Sequence, residues 1–391
     1  MNENKYKIGF WNYTETGKRN ENEVENWKYL GFNLAMSWEY DAERHDKADM
    51  MRLLDTCGKN RIKVIVCDHR VGFARCEKLG REEYVRGVKA AVADFGAHPA
   101  VYGFHIGDEP VFEQLPYVEL ACKTVKELAP HLVPYVNLLP VWDETDNLGK
   151  TPTDYCDVWG DSLQKCDTGI VSYDYYGQCC YFEKEKYRNM YFRNFTEYGR
   201  IANKTDSQLW TCLLCVGHGS LREPTQDDIR WQINTAAAHG LTGFMWFALY
   251  ENKFDNGWYF RNNPINRFGE KTSIYYALAY ENKTFMQEFE PILSRYDFVR
   301  ATHYNTQYGG FPAFSGTEGV KNVKIIVNEA CPLIVSEFKN ETGRAIVVVN
   351  NSQTEPVCVE IEFEREVNGE KTSRRWYAPG GMQIYELPTA K

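Results

Sequence analysis

The 391-residue chain carries 45 Lys+Arg against 54 Asp+Glu, a formal net charge of −9 with no compensating basic block, which argues against a nucleic-acid partner. Hydrophobic residues at 43% and charged residues at 25% exclude a disordered, collagenous or low-complexity chain. The longest apolar runs, such as MWFALY from Met245, fall far short of the ~20 residues that span a bilayer, so no membrane partner is expected.

The polar start MNENKYK passes straight into a strand-like KIGFWNY (7–13), without the basic and apolar regions of an export signal, so a cytoplasmic location is expected. Seven further short apolar runs follow: FNLAMSW (32–38), IKVIVCD (62–68), VYGFHIG (101–107), VPYVNLL (133–139), GIVSYDYY (169–176), LWTCLLCV (209–216) and GFMWFALY (243–250). Amphipathic stretches alternate with them, over about 22–29, 46–57, 81–95, 112–128, 154–164, 184–202 and 225–239, with a closing helix over 273–294. Thr225 with Asp228 three residues on predicts the N-cap of the seventh of these helices. Eight strand–helix alternations predict a parallel (β/α)8 TIM barrel over 1–305. After Tyr304 the chain turns to the Gly/Pro linker NTQYGGFPAFSG and then to period-two runs, so 306–391 is expected to be a linker and a small antiparallel β-sandwich. The 12 cysteines, Cys179 and Cys180 adjacent among them, are irregularly spaced and predict free thiols. Cys212 and Cys215 would point to opposite faces of one strand, which makes a shared metal or a redox pair improbable.

Barrel sites lie at the C-terminal strand ends, and here those ends are polar. Candidates are Trp38 and Glu39 after strand 2, Asp68 and His69 after strand 3, and His105, Asp108 and Glu109 on strand 4. Asn137 follows on strand 5, Tyr173, Asp174 and Tyr176 on strand 6, and His218 on strand 7. Strand 8 and its loop give Trp246, Tyr250, Glu251 and Trp258. Alternation puts Gly103, His105, Gly107 and Glu109 on one face of YGFHIGDEP, where small residues would leave room for a ligand above a carboxylate. Aromatic residues at 15% of the chain raise the case for carbohydrate, whose C–H faces stack on flat rings.

The barrel pattern with Asp108-Glu109-Pro110 at the end of strand 4 resembles the large clan of retaining (β/α)8 glycoside hydrolases, relatives of β-galactosidases and cellulases. The resemblance implies a carbohydrate substrate, Glu109 as acid/base, and a strand-8 Trp, here Trp246, flooring a sugar subsite. It also implies a nucleophilic Glu at the end of strand 7, yet LWTCLLCVGHG contains no carboxylate. Asp174 is the first substitute and Glu251 the second, with Glu39 and Asp68 behind them. Two other readings remain: a barrel that binds sugar without cleaving it, and a metal-dependent hydrolase using Asp68, His69 and His218. Gly-x-Gly-x-x-Gly and Walker loops are absent, and the favoured reading needs no cofactor.

Overall fold

The computed structural model describes residues 4–142, 147–251 and 258–388. Its parallel strands are β1 Lys7–Phe10, β2 Leu34–Met36, β3 Lys63–Val66, β4 Val101–Asp108, β5 Val133–Leu138, β6 Ile170–Asp174, β7 Gln208–Leu214 and β8 Gly243–Phe247. From β2 to β8 each strand pairs with its successor, and β1 pairs with β8. Around them run α1 Glu23–Tyr29, α2 Lys47–Lys59, α3 Phe73–Leu79, α4 Arg81–Ala91, α5 Leu115–Leu128, α6 Pro152–Cys166, α7 Lys184–Lys204, α8 Gln226–Ala238, α9 Ser273–Thr284 and α10 Glu290–Leu293. This is the (β/α)8 barrel that the alternation predicts. Helix α3 is additional; its seven residues, cut off by Gly80 at φ +77°, are too short to show a helical period.

The seam between β1 and β2 is held by Asn33, whose amide N–H donates to Ile8 O at 3.1 Å and whose side chain adds two more bonds. Asn33 Oδ1 accepts the Ile8 amide at 2.8 Å while its Nδ2 donates to Tyr6 O at 2.9 Å, so an amide stands in for missing ladder bonds. The Thr225 cap is present, with Thr225 Oγ1 accepting the Asp228 amide and Asp228 Oδ2 accepting that of Thr225.

Aromatic rings fill the barrel interior. A Cβ on Gly243 would stand 2.1 Å from the Trp210 ring, which stacks on Tyr102 with centroids 5.9 Å apart. Gly103 and Gly107 serve close approach rather than ligand space: their Cβ atoms would lie 2.0 Å from Val133 O and 2.2 Å from the Phe73 ring. With the interior packed, a ligand is left the C-terminal mouth.

Two antiparallel sheets form the C-terminal sandwich. One has the order β10-β13-β14 (Val320–Val327, Val357–Val367, Glu370–Tyr377), and the other β15-β12-β11-β9 (Met382–Pro388, Gly343–Asn350, Leu333–Lys339, Asp297–Tyr304). β9 precedes residue 305 yet pairs with β11, Tyr304 opposite Leu333. Its first half is exposed, which hides it from an alternation test. The four-stranded sheet is apolar on both faces: Ile334, Phe338, Val347 and Val349 join the barrel's core, whereas Leu333, Val335, Ile346 and Val348 face the other sheet. The sandwich docks on α8, where Trp231 Nε1 donates to Asn351 Oδ1 (2.9 Å) and Asn234 Nδ2 to Gly380 O (2.9 Å).

A histidine pair is buried at this junction. His239 Nδ1 must donate to Thr235 O (2.7 Å) and His303 Nδ1 must accept the Tyr308 amide (3.1 Å), so His303 Nε2–H donates to His239 Nε2 (3.1 Å). Burial pushes the pKa values down to about 4 and about 2. Both imidazoles stay neutral in the fold while the unfolded chain takes up protons near 6.5, so their stabilisation is full above pH 6.5 and is lost as pH falls toward 4. The expected result is that the wild-type urea midpoint drops between pH 6.5 and 4.5. His303→Leu should lower the midpoint at pH 7 and flatten that slope, and an unchanged slope in the variant would remove the pair from the acid response.

Candidate active site

The C-terminal mouth holds three carboxyl groups on two strands. β4 ends in Asp108, and Glu109 follows at φ +43°, a left-handed conformation uncommon for a non-glycine residue and concentrated at functional sites. The turn is pinned by Glu109 N donating to Asn137 O at 2.9 Å. Asp174 ends β6 facing inward.

Asn137 organises the group. Its Nδ2 donates to both Asp108 Oδ1 and Asp174 Oδ1 at 3.2 Å, and its Oδ1 accepts from Ser172 Oγ at 3.0 Å and from the Cys212 thiol at 3.5 Å. Because Ser172 spends its only proton on Asn137, the Tyr135 hydroxyl donates to Ser172 at 3.0 Å, and the amide orientation follows from this chain of donors.

Burial and crowding hold protons on these acids. Asp108 is open to the cleft on one side and enclosed by protein on the others; desolvation, then the charge of Glu109, raises its pKa to about 7. Asp174 is pushed well up by burial and then by the charges of Glu109 and Asp108. Glu109 is raised by burial, opposed by its hydrogen bond with Asp174. The cluster therefore holds protons to higher pH than free carboxyls do.

Two lobes open above it. A narrow recess of about 40 Å³ reaches Asp108, Glu109, Asn137 and Asp174 between Trp11, Tyr13, Tyr176, His218, Phe247 and Trp258. Tyr176 stacks on Phe247 with centroids 5.4 Å apart. A larger lobe of about 310 Å³ shares Trp11, Tyr13 and Asp108 and adds Glu39, Asp68, His69, Phe73 and His105. There His69 Nε2 lies 3.9 Å from Glu39 Oε2, and this carboxylate holds the imidazole above its ordinary value. His105 is held down to about 4 by burial.

Several expected site residues lie elsewhere. Trp246 points outward, its Nε1 donating to Asn282 Oδ1 at 3.0 Å; Gly243, Met245 and Phe247 take the inward parity, so Phe247 is the strand-8 ring at the mouth. Tyr173 stacks on Tyr198 of α7 at 4.2 Å. Tyr250 is buried with Trp27 and Glu23 on its hydroxyl, and Trp38 packs on Trp27 and Tyr250. Asp68 is consumed by Arg70 (2.7 Å), itself tied to Asp94. Glu251 is paired with Arg267. Trp11, Tyr13, Phe73 and Phe247 are aromatic mouth residues that the sequence reading missed; all but Phe73 could have been found by carrying strand parity through GFWNY and GFMWF.

Among the described residues no group of three His, Cys, Asp or Glu is arranged to hold a metal ion, and no helix is long and apolar enough to cross a membrane. All twelve cysteines are free and buried, including Cys212 and Cys215.

No protein-family model and no curated protein matches the chain. Among solved structures, a glycoside hydrolase family 5 protein from Bacteroides vulgatus is similar at TM-score 0.58 and 11% identity, covering 98% of this chain and 89% of that one. An endo-β-1,4-mannanase from Thermotoga petrophila gives TM-score 0.50 at 13% identity, covering 95% and 97%. A β-galactosidase from the psychrophile Marinomonas gives 0.56 at 12%, covering 74% of this chain, which spans 62% of that enzyme. At these identities the likeness is one of fold.

The raised Asp108 makes a stability statement. Its folded pKa of about 7 lies above the unfolded ~3.9, so the fold binds the proton more tightly and stability declines as pH rises from about 4 to 7. Asp108→Asn keeps an acceptor for Asn137 and cannot ionise. Because Asp108 is partly open to solvent the effect is screened, and we expect a melting temperature modestly above wild type at pH 8, shrinking to no difference at pH 4; an equal or lower value at pH 8 would contradict the crowding described here.

Proposed function

We propose that the chain is a glycoside hydrolase that cleaves a β-linked oligosaccharide or glycoside, with Glu109 as general acid and then general base. The observation that carries this reading is Glu109 itself, a carboxyl at the end of β4 whose pKa is raised by desolvation, in contact with Asp174 and opening onto an aromatic-walled cleft. Protonated Glu109 would deliver its proton to the glycosidic oxygen as the C1–O bond breaks and would recover one from the incoming water. Tyr176, Phe247 and Trp258 supply faces for sugar C–H surfaces, and Glu39 and His69 in the larger lobe supply partners for hydroxyls. Asp174, in contact with Glu109, holds the acid in place rather than attacking carbon. The neighbours support the choice of reaction class by fold, a β-galactosidase and an endo-β-1,4-mannanase being among them.

Glu109→Gln keeps the volume and loses the proton. On a natural glycan kcat/KM should fall by about 10²–10⁴, with the alkaline limb of the wild-type pH profile abolished. A variant that keeps more than half the wild-type rate would remove Glu109 from the mechanism.

A further inference from the structure

Two-carboxylate cleavage sets its second carboxyl ~5–9.5 Å from the acid, on the far side of the anomeric carbon. Among the described residues, the wall across the recess from the acid cluster carries none. β7 ends at Leu214 and runs on through Cys215, Val216 and Gly217 to His218; the Cys215 thiol donates to Phe247 O at 3.3 Å, and the facing surface is Tyr176, His218, Phe247 and Trp258. Asp108 and Asp174 both lie beside Glu109, linked through Asn137. None of the described residues on that wall can attack carbon, which directs attention to a group carried by the substrate itself.

The recess says what that group looks like. At about 40 Å³ it is far below the ~300 Å³ of an ordinary ligand pocket and suits a short substituent, with the ring left to the adjoining larger lobe. Its floor offers the Asp108 and Asp174 carboxyls, which accept an N–H. Its walls are aromatic, which suits a methyl group. The Trp11 indole N–H, in a side chain only 2% exposed that lines both lobes, makes no well-aligned hydrogen bond and has only the Tyr13 hydroxyl beside it, so a substrate carbonyl is an acceptor it can take. An acetamido group carries an N–H, a methyl and a C=O together; a 2-hydroxyl would leave the aromatic walls unfilled.

We infer, resting on the glycosidase reading above, that the site takes a 2-acetamido-2-deoxy-β-glycoside and that the sugar's own amide oxygen is the nucleophile. The amide oxygen bonds to C1 as the C1–O bond breaks, and Glu109 gives its proton to the departing oxygen. The positive charge of the cyclic oxazolinium is met by Asp108, which accepts the amide N–H. Water then adds to C1 with its proton passing to Glu109, the ring reopens, and the product keeps its anomeric configuration.

The test uses the whole chain with 4-methylumbelliferyl β-glycosides of the gluco and galacto series bearing 2-acetamido or 2-hydroxyl groups, together with the thiazoline analogue of the oxazoline. Turnover at least 100-fold faster with a 2-acetamido substrate, competitive inhibition by the thiazoline, and a steep fall in kcat from N-acetyl to N-trifluoroacetyl substrates are expected. Asp108→Asn should lose at least tenfold in kcat on the acetamido substrate while keeping the wild-type circular dichroism. Comparable turnover of 2-hydroxy sugars, a flat N-acyl series, or a 2-fluoro glycoside that labels any Asp or Glu, Glu144 and Asp255 included, overturns the inference and leaves the glycosidase reading standing. No turnover of either class and no thiazoline binding by calorimetry overturns both.

Discussion

Three carboxyl groups cannot share a desolvated barrel mouth fully ionised, and the architecture around Asn137 follows from that constraint. One amide gives both of its N–H groups to Asp108 and Asp174, while its oxygen is held by Ser172 and Cys212. Turning the amide over would set its oxygen against two carboxyl oxygens and leave the Ser172 proton facing an NH₂ group. The floor is thus fixed from below by β5, β6 and β7 at once, and Glu109 stands at the top of the cluster, facing the cleft.

The same rigidity explains why the barrel is closed below and open above. Trp210 over Gly243, the tight approach of β5 to Gly103, and Met245 near Gly9 leave no passage through the interior. The sandwich braces the barrel from outside, through α8 and the neutral pair His239–His303. Its four-stranded sheet has no free face, so the barrel and the sandwich share one continuous core.

Fold class was legible because each strand–helix unit repeats a strong period, and Thr225 with Asp228 showed a helix start by chemistry alone. The positions of Glu109, Asn137, Asp174 and Tyr176 were legible because strand ends in a barrel converge on one mouth. What was not legible turned on parity and pairing. Trp246 is more conspicuous than Phe247, but one residue of register moves a side chain from mouth to exterior, and Gly243 and Met245 already held the inward positions. Asp68 and Glu251 looked available because no sequence pattern shows that Arg70 and Arg267 neutralise them. The exposed first half of β9 carried no alternation to read.

The end of β7 is where the likeness to retaining glycosidases gives out, and the structure shows what occupies it. Gln232 of α8 accepts the Leu214 amide at 2.8 Å and donates to Leu214 O at 3.0 Å, and Gln178 Nε2 donates to the same Gln232 side chain at 3.0 Å. A helix side chain thus completes the strand's last rung, while Cys215 N turns to Phe247 O at 2.8 Å. A Cβ on Gly217 would stand 2.8 Å from the Glu223 side chain. The segment is committed to holding α8, β8 and the Arg261 loop together, so a glutamate placed there by substitution would have to break that clasp before it could face the mouth.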